Sequence, residues 1–361
     1  MSKTSIEWTE QTWNPVRGCS PVSPGCKNCY AERQAARFCG KGKPFEGFVQ
    51  IKADGPHWTG HVGLIPEMLD VPLRRKKPTT YFVNSMSDLF HENLPDEAID
   101  RVFAVMALCP QHTFQVLTKR AKRMQSYCSA VTFERLRDWM NRAADGGEHR
   151  VGGYSLTSIA HHTKRGTEFQ FRRSSRPPLP NVWMGVSVED QQRADERIPY
   201  LLQTPAAVRF VSAEPLLGPV DLRNLTVDMA DTITQLVAMR QERGEVVTEE
   251  SIGNYPLAMP LDSLTGLNPC GDQMGSLDWV IVGGESGPNA RPFNIKWARR
   301  TVAYCKAAGV PCFVKQLGAH AIKDASGMSM HLEHSKGGDM AEWLEDLRVR
   351  EMPKCAALPS S

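Results

Sequence analysis

Six short apolar runs, each ending in polar or glycine residues, constrain the fold of this chain more than any other feature. The run at 80–83 ends in Asn84-Ser85-Met86-Ser87-Asp88, and that at 113–117 in Thr118-Lys119-Arg120. The run at 182–186 ends in Ser187-Val188-Glu189-Asp190, and that at 208–211 in Ser212-Ala213-Glu214-Pro215. The run at 279–282 ends in Gly283-Gly284-Glu285-Ser286-Gly287, and that at 312–314 in Lys315-Gln316-Leu317-Gly318. Nearly continuous apolar character marks strands buried on both faces, hence parallel strands covered by helices. Helical patterns lie between them at 96–106, 191–202 and 294–303. The first has Pro95 and two acids at its start, as helix N-termini prefer. Alternating β and α units leave a doubly wound sheet or a (β/α) barrel. Polar residues at every strand end favour an α/β fold that is a full or partial barrel. In a barrel all strand C-termini converge on one rim, where the active site lies.

The reading is one domain over residues 1–361 with two inserted segments, 121–180 and 222–276, and a closing segment, 319–361. The first insertion carries a helical pattern at 132–143, then His161-His162-Thr163-Lys164-Arg165, Arg172-Arg173 and Arg176. With Lys119-Arg120 and Lys122-Arg123 these cations suit a phosphate-tracking surface, and Trp139, Phe169 and Phe171 suit base stacking. A solvated loop over core aromatics is the alternative. The second insertion carries a helical pattern at 229–243. Asp339, Trp343 and Arg348-Val349-Arg350 read as a helix plus tail that closes the far end of the barrel.

Composition narrows the setting. At 41% hydrophobic and 23% charged the chain is ordinary for a globular protein. A net charge of +3 permits a nucleic-acid partner without demanding one. Met1 to Glu7 lack the apolar stretch of a signal peptide, and no run approaches the roughly 18 apolar residues of a membrane span. The expected location is cytoplasmic, with no membrane partner. Cysteines there stay reduced, and clustered ones bind metal more readily than they form disulfides.

Cys19, Cys26 and Cys29 form such a cluster, spaced C-x6-C-x2-C. Gly18, Pro21, Pro24 and Gly25 suit a loop wrapped around one centre. A closed structural site wants four ligands, and three leave a coordination position open. The next cysteine is Cys39 and the first histidine His57, so no fourth ligand stands at short spacing. An iron–sulfur cluster is the favoured reading; zinc with a distant fourth ligand and unligated thiols stay open. Arg17 and Lys27 are placed to offset thiolate charge.

Other strand ends supply further candidates. Gly283 and Gly284 let the backbone approach a ligand, and Glu285 and Ser286 can accept from an ammonium or ribose hydroxyl. A tight turn with a capping serine is the alternative. Lys119 and Lys315 can each meet a carboxylate or phosphate as a point charge. Ser187, Glu189 and Glu214 are rim candidates for ribose or substrate. Glu214 is the foremost, since it follows an apolar strand directly and precedes Pro215. Glu214, Lys119 and Lys315 are the catalytic candidates. Asn84, Ser85 and Asp88 read either as ligand contacts or as a helix-capping cluster.

Three cysteines at the start of a β/α chain, with Tyr30 beside the last, resemble the radical S-adenosylmethionine (SAM) superfamily. That resemblance implies a [4Fe-4S] cluster on Cys19, Cys26 and Cys29, with SAM on the open iron. It implies reductive cleavage of SAM to a 5′-deoxyadenosyl radical, an external electron donor and a partial (β/α)6 barrel. A closer resemblance runs through Trp13-Asn14-Pro15 with the cysteines and through 84–90, 117–119, 185–189, 212–217, 278–288, 313–318 and 337–350. It is to the phage-type three-Cys-motif proteins of unassigned activity, which are radical-SAM-like. Two departures stand out. The superfamily spacing is C-x3-C-x2-C, and its Gly-Gly-Glu follows the second strand, where this chain has Asn84 to Asp88. The SAM contacts implied are therefore Asn84, Ser85 and Asp88, with Tyr30, Ser187, Glu189, Gly283, Gly284, Glu285 and Ser286. A nucleotide or nucleic acid base is the expected substrate class. The alternatives are a non-catalytic zinc- or iron–sulfur-stabilised nucleic-acid-binding protein and a barrel enzyme whose cluster only transfers electrons.

Overall fold

The computed structural model describes residues 4–132, 134–136, 138–139, 178–228, 258–267, 275–323 and 327–353. Seven parallel strands form its sheet: β1 (Gln11–Trp13), β2 (Thr80–Val83), β3 (Thr113–Thr118), β4 (Val182–Ser187), β5 (Val208–Ala213), β6 (Trp279–Gly283) and β7 (Cys312–Gln316). Their order in the sheet is their order in the chain. A doubly wound sheet reverses direction part-way, so sequential order makes this a half-barrel. The six apolar runs are β2 to β7. The seventh strand, β1, pairs with β2 through Thr12 opposite Phe82.

Helices follow the strands: α1 (Tyr30–Ala36), α2 (Asp96–Leu108), α3 (Ala121–Ala130), α4 (Gln191–Gln203) and α5 (Ile295–Ala308). Asp190 caps α4 by accepting from Arg193 N, and Asn294 caps α5 by accepting from Lys296 N. Each bond satisfies an amide that has no partner within its helix. Gly309, in the left-handed conformation, ends α5.

The strands alternate between two cores. Tyr81, Val83, Met184, Val211, Val280, Val282 and Val314 belong to the large core with the helices. Phe82, Trp183, Phe210, Trp279, Ile281 and Phe313 form a second, aromatic core, into which Trp8 inserts. Trp8 lies 4.8 Å from Phe82 and 6.2 Å from Trp279, ring centroid to centroid. The segment before β1 thus fills one face of the sheet while helices fill the other.

Two expectations change. The C-terminal segment holds two short 3-10 turns, Met340–Glu342 and Glu345–Leu347, in place of a helix. Its tail runs antiparallel to β7, with Val314 N donating to Val349 O and Glu351 N to Cys312 O. It therefore covers the free edge of the sheet, a place where unpaired backbone groups invite association. Trp139 is drawn to α2: its Nε1 donates to Asp100 and Arg101 lies over its ring at 4.5 Å. In the first insertion residues 121–130, 134–136 and 138–139 are helical, while the basic stretch at 161–176 lies outside the described residues. In the second, Leu225–Asp228 pairs antiparallel with Ala258–Leu261, and the helix expected at 229–243 lies outside them too. No helix among the described residues is long and apolar enough to cross a membrane.

Candidate active site at the rim of the half-barrel

The cysteine loop continues from the C-terminal end of β1, so it starts on the same rim as the other strand ends. Asn84, just past β2, fixes its first step. Asn84 N donates to Trp13 O, and its side-chain oxygen accepts from Val16 N. Asn84 sits at φ 60, a left-handed conformation that asparagine tolerates better than most residues. Its Nδ2 is buried without a partner among the described residues. Beyond Gly18 the loop carries Cys19, makes a 3-10 turn at Pro24–Cys26, and places Cys29 at the start of α1.

From there the loop crosses the rim and is tied down at three further strand ends. Glu189, past β4, accepts from Gly25 N at 3.2 Å, and its other oxygen takes Arg197 at 3.0 Å. Glu285, past β6, accepts from Asn28 Nδ2 at 2.9 Å and from Arg291. Arg291 also donates to Pro24 O at 2.8 Å. Arg120, past β3, donates to Ser20 O and Ser20 Oγ, and its Nη1 lies 3.8 Å from Cys19 Sγ. Asp88, past β2, accepts from Arg120, Thr118 Oγ1 and the Lys119 and Phe90 amides.

Glu189 and Glu285 are therefore buried tethers of the loop, and buried Asp88 braces Arg120, which holds Ser20. Burial works against the charge of Glu285, but hydrogen bonds from Arg291 and Asn28 outweigh it and hold its carboxyl below the usual range. Gly283 and Gly284 serve close approach. A Cβ on Gly284 would lie 2.3 Å from Leu317 O, and one on Gly283 would meet the Glu214 carboxyl. Ser286 makes no hydrogen bond among the described residues.

The three catalytic candidates share one string of contacts. Lys119 Nζ donates to Ser187 Oγ at 3.0 Å, Ser187 Oγ donates to Glu214 O at 3.2 Å, and Lys315 Nζ meets Glu214 Oε1 at 2.6 Å. Side chains from β3, β4, β5 and β7 thus meet in front of the cysteine loop. Tyr30 joins from α1: its hydroxyl donates to Ser85 O at 2.5 Å. The Tyr30 side chain is 48% exposed.

Burial pushes the Cys19 thiol up to about 12; Asp88 adds to the rise, Arg120 opposes it, and Cys29 and Cys26 raise it further. The three sulfurs thus lie within electrostatic reach of one another. Cys29 is raised by burial as well, against lowering hydrogen bonds from the Glu32 and Ala31 backbone. Two amide donors at one sulfur and a guanidinium at another suit thiolates held by a metal centre. Among the described residues no group of three His, Cys, Asp or Glu side chains is assembled around a single ion. The cation at Cys19 is Arg120; Arg17 instead donates to Pro44 O, and Lys27 is exposed.

Asn28, Arg197 and Arg291 escaped the sequence reading as parts of the site: Asn28 lies between two cysteines and offered a signal, whereas the two arginines follow their partners into a helix or turn and offered none. Arg120, expected on a phosphate-tracking surface, is instead buried against Asp88 and the cysteine loop. No curated protein and no solved structure matches the chain. A family model described only as a protein of unknown function matches residues 3–353, nearly the full length, and the chain accordingly belongs to the DUF5131 family.

Proposed function

We propose that this chain is a radical-SAM-type iron–sulfur enzyme acting on a nucleotide or nucleic acid base. The observation that carries the reading is the position of the cysteine loop: it spans the rim of a sequentially ordered parallel half-barrel, tied to the ends of several strands. Cys19, Cys26 and Cys29 would hold a [4Fe-4S] cluster. Among the described residues no three such side chains are placed to hold a metal ion, so the ligand assignment rests on the spacing of the cysteines and on where their loop lies. A reduced cluster with SAM bound there would supply one-electron chemistry for hydrogen abstraction, and an external electron donor would provide the electron.

The chain's own residues do the rest. Arg120 offsets sulfur charge at Cys19, and the amides opening α1 do so at Cys29. Glu189 and Glu285 hold the loop across the rim. Lys119, Glu214, Lys315 and Tyr30 face the same space and are the groups we assign to SAM and substrate. The Lys315–Glu214 pair presents a charged, partly exposed surface on which a polar ligand exchanges one contact for another. Ser187 aligns Lys119 toward that pair.

The test is metal content. Protein purified without oxygen should carry iron and sulfide in equal amounts, and Cys26→Ala should abolish both. Zinc in place of iron would support the non-catalytic nucleic-acid-binding reading instead. Full iron occupancy in Cys26→Ala would overturn the ligand assignment.

A further inference from the structure

One small unit beside the cysteines carries an excess of positive charge. Residues 17–61 hold seven lysines and arginines against three acids, a net +4, whereas the whole chain carries +3. The unit comprises the cysteine loop, α1 and an antiparallel pair of strands, Val49–Lys52 with Gly55–Trp58. Ala31, Ala35, Val49 and Trp58 form its small core.

Each of its three acids is engaged internally. Glu32 is buried and accepts from Trp58 N at 2.6 Å. Glu46 accepts from Gly42 N at 2.6 Å, and Asp54 pairs with His57 at 2.8 Å. Lys27, Arg37, Lys41, Lys43 and Lys52 are exposed and form no ion pair among the described residues. Arg17 lies over the Phe45 ring at 5.4 Å, and Arg33 donates to Asn28 O, so neither takes a carboxylate. A cluster of unneutralised cations attracts polyanions and releases their counterions on binding.

Ring surfaces are interleaved with these charges. Phe38 is 50% exposed at the end of α1. Phe48 lies against His61 with centroids 4.8 Å apart and ring planes tilted by 34°. This pair sits directly over Gly18, where a Cβ would lie 2.0 Å from His61 O, so the unit abuts Cys19.

We propose that residues 17–61 form a docking surface for a single-stranded nucleic acid, with phosphates on the exposed cations and an unpaired base on Phe38. The five exposed cations are spread along the unit and exceed what one mononucleotide engages. Free ring faces suit unpaired bases, which every single strand offers, and not a closed duplex. Anionic lipid surfaces attract cations as well, but the unit's one helix, α1, has only seven residues and offers no broad apolar face to insert. The inference rests on the reading above for its substrate class, while the binding itself needs neither cluster nor SAM.

Fluorescence anisotropy of the full chain with a labelled oligothymidylate of roughly 20 nucleotides tests it, titrated across salt concentrations. Binding should weaken with salt. The triple variant Lys41→Ala, Lys43→Ala, Lys52→Ala should lower the log–log salt slope by about 2 and weaken binding about 100-fold at 0.1 M salt. Phe38→Ala should weaken it roughly 10-fold with the slope unchanged. All four side chains are exposed, and circular dichroism checks that the variants stay folded. An unchanged slope in the triple variant would overturn the proposal. So would failure to bind the oligonucleotide by protein that binds vesicles of anionic phospholipid. Failure of SAM cleavage in the same preparation would leave this result standing.

Discussion

Glu189 accepts a hydrogen bond from the backbone of Gly25 at 3.2 Å, joining the end of one strand to the cysteine loop 164 residues away. Its carboxylate is fully buried, and its second oxygen takes Arg197, which is buried too. Glu189→Ala would leave the Arg197 charge unpaired in the interior, at a cost of about 3–5 kcal/mol. Urea denaturation should show that loss, and iron retention should fall with it because the loop loses an anchor.

The second anchor gives a pH dependence. Hydrogen bonds from Arg291 and Asn28 hold the Glu285 carboxyl below its ordinary value of 4.5. A depressed carboxylate stabilises the fold above its unfolded value and loses that contribution as pH falls through the folded one. The clamp should therefore be constant at neutral pH and fail only below about pH 4.5, where the unfolded form begins to bind the proton. Glu285→Gln should cost about 2 kcal/mol at pH 7. The difference between variant and wild type should shrink in acid, as thermal unfolding between pH 3 and 7 would reveal.

Lys315 and Glu214 are each 17% exposed, and their contact is short. Lys315→Met should cost roughly 1 kcal/mol, as for a pair still near water. Turnover at the rim should fall far more, by about 100-fold, if the pair serves the ligand. Comparing melting temperature with product formation separates the two effects.

The aromatic face of the sheet yields a packing prediction. Gly185 stands opposite Phe210 in the register of β4 and β5, and a Cβ there would lie 2.4 Å from the Phe210 ring. Gly185→Ala should destabilise by about 1–3 kcal/mol through overpacking. Trp8→Ala should cost about 3–5 kcal/mol by emptying the same face. Both are read from denaturant midpoints.

The sequence made six of the seven strands legible because each is apolar for most of its length, as burial on two faces requires. It hid β1, which is three residues long and has Gln11 and Thr12 beside Trp13. It misjudged the C-terminal segment: Trp343 and the nearby charges mimic a helix, yet Trp343 Nε1 donates to Gly337 O and Arg350 stacks over Trp343. The rim candidates were legible as polar groups ending apolar strands. Their partners were not, because periodicity carries no information about contacts such as Asn28 with Glu285, 257 residues apart. Nor does it separate a carboxylate that holds a loop, like Glu189, from one that faces the rim, like Glu214.

SAM cleavage tests the central claim most directly. Protein purified without oxygen is given SAM and a strong reductant, and 5′-deoxyadenosine is measured beside iron content. The account predicts about four irons per chain and 5′-deoxyadenosine formation that is lost in Cys26→Ala. About one zinc per chain, or a fully loaded cluster that never cleaves SAM, would contradict it.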